Sequence, residues 1–88
     1  MKLRGEFVVR QIMDRIVAIP VGQTALQLNG MLLLNDVSKV IWDSLEKDTD
    51  LEAIVNAVTE AFEVSPEEAK ADILDFLDKL RTAQLLED

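Results

Sequence analysis

Residues 29–36 read Asn-Gly-Met-Leu-Leu-Leu-Asn-Asp, and that octapeptide restricts the fold more than any other part of the chain. Asn29-Gly30 is a turn signal, and Asn35 and Asp36 are both good helix N-caps. Between them there is room for one very short strand. A half-buried strand alternates apolar and polar side chains, but Met31, Leu32, Leu33 and Leu34 do not alternate. Such a strand needs cover on both faces. Leu32 and Leu34 can pack on helices. Met31 and Leu33 need a neighbouring sheet layer, a second copy of the chain, or an added peptide strand, unless they too are packed into the core.

Composition narrows what the rest can be. The chain has 88 residues, enough for a single domain over 1–88 with one modest core. Apolar residues make up 49%, so it should fold rather than stay disordered. It has no Cys and no His. That removes disulfides and thiol chemistry, together with the commonest general base and the commonest metal ligand. No stretch has the pattern of a signal peptide and no apolar run is long enough to span a bilayer, so a cytoplasmic protein without a membrane partner is expected.

The net charge of -8 is uneven: residues 1–30 carry four basic and two acidic side chains, residues 31–88 five basic and fifteen acidic. The acidic part should repel nucleic acid and attract a basic peptide or protein. It also fits helix faces that are simply well solvated.

The first third reads as strands. "FVVRQI" (7–12) and "RIVAIPV" (15–21) are rich in β-branched residues, with Asp14 offering the turn between them. Ile16, Ala18 and Pro20 share one face of the second run, and Val17, Ile19 and Val21 the other. Pro20 lacks an N–H and should end the strand or lie at an edge. Gly22 permits a bend, and "TALQL" (24–28) alternates as a strand would. Asn29-Gly30 would then close a type I′ hairpin, with 31–34 as its return strand.

The remainder reads as three helices. The first starts at Asn35 or Asp36, with Val37, Val40, Ile41 and Leu45 at helical spacing. The second opens on Thr49 with Glu52 three residues on, a capping-box pattern, and buries Leu51, Ile54, Val55, Val58 and Phe62. The third opens on Ser65-Pro66-Glu67-Glu68, the strongest boundary in the sequence, and buries Ala69, Ile73, Phe76, Leu77 and Leu80. Leu85 and Leu86 should fold back onto the sheet. The fold class is therefore α+β: antiparallel strands or hairpins at the N-terminus, then a three-helix bundle, in a winged-helix-like arrangement. The tight "EVS" joint between the last two helices is of helix-turn-helix type. Yet the would-be reading helix carries Glu67, Glu68, Asp72, Asp75 and Asp78 against Lys70, Lys79 and Arg81, so no basic stripe is available for phosphates.

Other motifs offer little chemistry. Asp43-Ser44-Leu45 matches the tripeptide on which acyl carrier proteins hold phosphopantetheine. Ser44, however, falls late in the first helix, after a strand-rich segment, where an exposed helix residue is the plainer reading. Asp72, Asp75 and Asp78 repeat every three residues, but a metal would need them convergent in a cavity. The three Gly are scattered and form no phosphate loop. No cofactor is indicated and no catalytic residue can be named. Trp42, the only Trp, is expected at the core boundary or in a partner contact.

The surplus apolar face at Met31 and Leu33 is what bears on function. An exposed apolar edge is an aggregation liability unless it is used. Strand addition uses it: backbone hydrogen bonds supply general affinity and flanking pockets supply specificity.

Five segments, in order and spacing, carry a resemblance: "VAIP" (17–20), "LNGMLLLND" (28–36), "IWDSL" (41–45), "TDLEAIVNAVTEAFEV" (49–64) and "ADILDFLDKLRTAQLLE" (71–87). Over nearly its whole length the chain resembles the PqqD-like proteins, also called RiPP recognition elements. The match departs at Gln84, where that family often has Gly, which puts the build of the last helix end in question but not the binding region. The resemblance implies a compact winged-helix-like domain without catalytic activity. Its role would be to hold the leader segment of a ribosomally made precursor peptide and present it to a modifying enzyme, commonly a radical SAM enzyme. It implies that the leader adds as an antiparallel strand against the third helix. On this chain the matching edge is Met31, Leu32, Leu33 and Leu34, and the matching helix face is Asp72, Asp75, Phe76 and Lys79. Phe76 fits a core role equally well. Two other readings stand beside this one: a carrier protein modified at Ser44, and an interaction module that dimerises through the same edge.

Overall fold

The β-branched runs form strands where expected. The computed structural model describes residues 1–88, with β1 (Lys2–Leu3), β2 (Phe7–Ile12), β3 (Arg15–Pro20), α1 (Gly22–Gln27), β4 (Leu32–Leu34), α2 (Asp36–Ser44), α3 (Leu51–Ala61), α4 (Pro66–Thr82) and β5 (Leu86–Glu87). The class is α+β, with the three main helices following β1–β4. β2, β3 and β4 make one antiparallel sheet in that order, and β1 pairs with β5 in a separate two-stranded ladder. Leu85 and Leu86 do fold back and are buried, but onto β1 (Leu3 opposite Leu86) and not onto the main sheet.

β3 is the central strand. It pairs with β2 from Ile12–Arg15 to Phe7–Pro20, and with β4 through Ile16–Leu34, Val17–Leu33 and Ala18–Leu32. The β2–β3 turn is Met13-Asp14, and it is Met13, not Asp14, that takes the left-handed conformation, with φ of 58°. Pro20 ends β3, as its missing N–H requires. Ala18 and Leu34 point into the core with Ile41, Trp42, Ile54, Val58, Ile73 and Leu77. Trp42 is a full core member at 2% exposure, and Phe7 meets it edge-to-face at 5.0 Å between centroids and 87° between planes.

One expected strand is a helix. Residues 24–28 alternate in polarity, yet 22–27 form α1. The alternation carried no packing: Leu26 is 82% exposed and the buried residue is Thr24. Thr24 is held because its Oγ1 accepts the Glu6 N–H at 2.7 Å. Gln23, Ala25, Leu26 and Gln27 are good helix formers, and with no sheet partner the local preference wins. The type I′ hairpin is absent too. That turn needs positive φ at both central residues, and only Gly30 has it, at 89°. Gly30 instead bends the chain out of α1 and into β4, whose register is set by β3.

The helices start and stop by recognisable chemistry. Asn35 caps α2 in a capping box with Ser38: the Ser38 N–H donates to Asn35 Oδ1 at 2.8 Å and the Asn35 N–H to Ser38 Oγ at 2.7 Å. α3 is capped by Asp50, whose Oδ1 accepts the Ala53 N–H at 2.8 Å, and not by Thr49. The Thr49 backbone N–H instead donates to the Met1 carbonyl, so it is not free for the return bond from Glu52 that a capping box needs. Ser65 caps α4 as expected, with Pro66 inside the first turn.

At the far end of α4 the missing Gly changes little. Gln84 adopts the left-handed conformation itself, with φ of 61°. Its N–H donates to the Arg81 carbonyl at 2.9 Å, and the Leu85 N–H to the Leu80 carbonyl at 2.8 Å. That pair of bonds is a Schellman motif. Leu80 and Leu85, the two residues whose apolar contact usually accompanies it, are both buried. The turn a Gly would have made is made by Gln, at some conformational cost.

Candidate peptide-binding groove

β4 and β2 are the two outer strands of the sheet, and their free edges differ. β2 carries Arg10 and Gln11, both exposed, and charge on an edge discourages further pairing. β4 carries only Leu32, Leu33 and Leu34. Leu34 is buried at 6%, Leu32 is partly buried against the core, and Leu33 is 62% exposed. The surplus face expected from the sequence is therefore real, and it belongs to Leu33 and to Met31 just before the strand, which is 54% exposed.

Beside that edge lies a groove of about 290 Å³, lined by Leu33, Asn35, Val37, Ser38, Ile41, Asp72, Asp75, Phe76 and Lys79. Leu33 stands on one side and the α4 side chains on the other. Ile41, 1% exposed, forms the floor. Five residues named from the sequence thus converge: Leu33, Asp72, Asp75, Phe76 and Lys79. Leu34 lines a second, more open recess past the end of β4, with Asp14, Arg15 and Ile16. Met31 and Leu32 line neither. Phe76 fills both roles left open for it: it packs against the core cluster and also faces the groove.

The sequence did not mark Asn35, Val37, Ser38 and Ile41 as groove residues; Asn35 read as a cap, Val37 and Ile41 as the buried stripe of the helix, and Ser38 carried no reading. The signal was there in the chain order. α2 begins directly after β4, so its first two turns must lie at the end of the edge strand. The capping box fixes that junction. Ser38, 8% exposed, also donates its hydroxyl to the Asn35 carbonyl at 3.2 Å. These bonds hold the groove's inner end in one shape.

The electrostatics are simple. Asp75 and Lys79 form an ion pair at 3.5 Å, both largely exposed. Asp72 has no cationic partner within the chain. Ser44, the other candidate, ends α2 with its hydroxyl donating to the Val40 carbonyl at 3.0 Å, so its oxygen is drawn onto its own helix. No three acidic side chains converge as a metal would require. No helix is long and apolar enough to cross a membrane.

The groove can do one thing well, which is to take an extended chain along β4. Its edge offers unpaired backbone groups, its floor is apolar, and its far wall is polar and charged. Among solved structures, TbiB1 in complex with the TbiA(beta) leader peptide has the same fold, with a TM-score of 0.73, 29% sequence identity, and coverage of 99% of this chain and 95% of that one. Among curated proteins, none matches the sequence. The family model for coenzyme PQQ synthesis protein D matches residues 9–86, from inside β2 to the start of β5 and so across every element that builds the groove. This chain belongs to the PqqD family.

Proposed function

We propose that this protein is a peptide chaperone of ribosomal natural-product maturation. It binds the leader segment of a precursor peptide by strand addition to β4 and presents the precursor to a modifying enzyme, commonly a radical SAM enzyme. The observation that carries this reading is the free, wholly apolar edge of β4 opening onto the groove against α4. Likeness to a leader-bound structure supports it. Met31 to Leu34 give the strand edge, and Asp72, Asp75, Phe76 and Lys79 give the opposing wall. The role is one of binding; bond making and breaking belong to the partner enzyme. The cytoplasm, where the ribosome releases such precursors, is the compartment this role requires.

Titrating the protein with the leader of the precursor encoded beside its gene tests the proposal. Saturable binding that Leu33→Glu weakens is expected. No binding, or binding indifferent to Leu33→Glu, would overturn it. Sedimentation at several concentrations separates leader binding from self-pairing of β4 edges, because a dimer would dissociate as leader is added.

A further inference from the structure

We propose that the groove reads a two-residue spacing in its peptide: an apolar side chain seated against Phe76 and Ile41, and a Lys or Arg two positions along the strand, seated against Asp72. This rests on the strand-addition reading above and adds a sequence requirement to it.

The geometry carries the spacing. The α4 residues facing the groove are Asp72, Asp75, Phe76 and Lys79, one face of two helical turns, so the groove follows the helix for roughly 10 Å at about 1.5 Å per residue. An extended peptide advances about 3.3 Å per residue, which puts side chains on one face roughly 7 Å apart. The trough therefore accepts two same-face side chains. Asp72 and Phe76 are one turn apart, about 6 Å along the axis, which is close to that step. The intervening peptide residue points the other way, out of the trough, and no particular side chain is demanded there.

Chemistry assigns the two seats. Besides Leu33, the apolar side chains lining the groove are Val37, Ile41 and Phe76, and they supply the apolar seat. Toward Lys79 the charge is already neutralised, because Lys79 pairs with Asp75 at 3.5 Å. Toward Asp72 it is not: this carboxylate has no cationic partner in the chain and faces the same trough. A cation two positions from the apolar anchor supplies the missing charge. The net charge of -10 over residues 31–88 adds a long-range attraction for cationic peptides, but that field cannot set a spacing. Asp72 can.

Selection from a displayed library of random decapeptides tests this without knowing the natural leader. Enriched peptides should carry Lys or Arg two positions from a large apolar residue. Asp72→Lys should turn that preference toward Asp or Glu and weaken a selected Lys peptide about five- to tenfold. Asp78→Asn, on the same helix but outside the groove lining, should leave the preference in place. Circular dichroism checks that the variants stay folded. Three results would overturn the inference while strand addition stands: apolar spacing with no charge preference, Lys or Arg enriched at every spacing, or a preference that Asp72→Lys does not move. If no peptide is enriched, or if enrichment survives Leu33→Glu, strand addition itself fails and the spacing rule goes with it.

Discussion

Leu33 stands directly opposite Val17 in the β3–β4 ladder, and the two lie at opposite extremes: 62% exposed against 3%. They share one face of the sheet. Val17 sits in the central strand, flanked by Leu33 on one side and Arg10 on the other. Leu33 has a neighbour on one side only. Its exposure is the deficit of a missing strand. Leu33→Glu should therefore leave stability within about 0.5 kcal/mol, as exposed substitutions do. It should cost at least about tenfold in leader affinity, since burying one Leu is worth about 1.5–3 kcal/mol. Val17→Ala should do the reverse, losing about 1.5 kcal/mol of stability for its two methyl groups. Urea unfolding and a leader titration on the same samples check both.

Asn35 links the edge strand to the floor helix through its reciprocal bonds with Ser38. Asn35→Ala removes the side-chain acceptor and should destabilise the fold by about 1 kcal/mol. Because the same junction shapes the inner end of the groove, leader affinity should fall beyond what the lost stability explains. Isothermal titration well below the unfolding midpoint reads that difference.

Gln84 holds a left-handed conformation with φ of 61° that Gly adopts without cost. Gln84→Gly should raise stability by about 1 kcal/mol, seen as a higher urea midpoint with an unchanged slope. Leader affinity should not change, because Gln84 lines no part of the groove.

Trp42 is sealed in the core against Phe7. Trp42→Ala should cost about 3–5 kcal/mol, a large part of the stability of a domain this size. In the natural chain Trp42 emission should shift to the red on unfolding and hold its wavelength as leader is added, since the indole lines no part of the groove.

Local chemistry made most of this fold legible. β2 and β3 were readable because β-branched runs met a Pro stop, and α4 because Ser65-Pro66 fixed its start. α1 was not, because alternation in 24–28 mimicked a strand and only the lack of a sheet partner shows otherwise. Thr49 and Asp50 are adjacent cap candidates; the Thr49 N–H is tied to Met1 by a long-range bond that the sequence does not display, and Asp50 takes the cap. Of the candidate groove, the exposed edge at Leu33 was legible as an uncovered apolar face. The α4 wall came through family resemblance, since Asp72 and Asp75 alone read as solvated carboxylates. The α2 side of the groove was hidden because its residues do double duty as cap and core.

In the proposed function a peptide completes the sheet at β4. Amide hydrogen exchange with and without the leader measures this most directly. Protection should rise at Leu32–Leu34 and along the α4 face from Asp72 to Lys79, with the free edge of β2 unchanged. Protection gained along β2, with β4 exchanging as before, would contradict it.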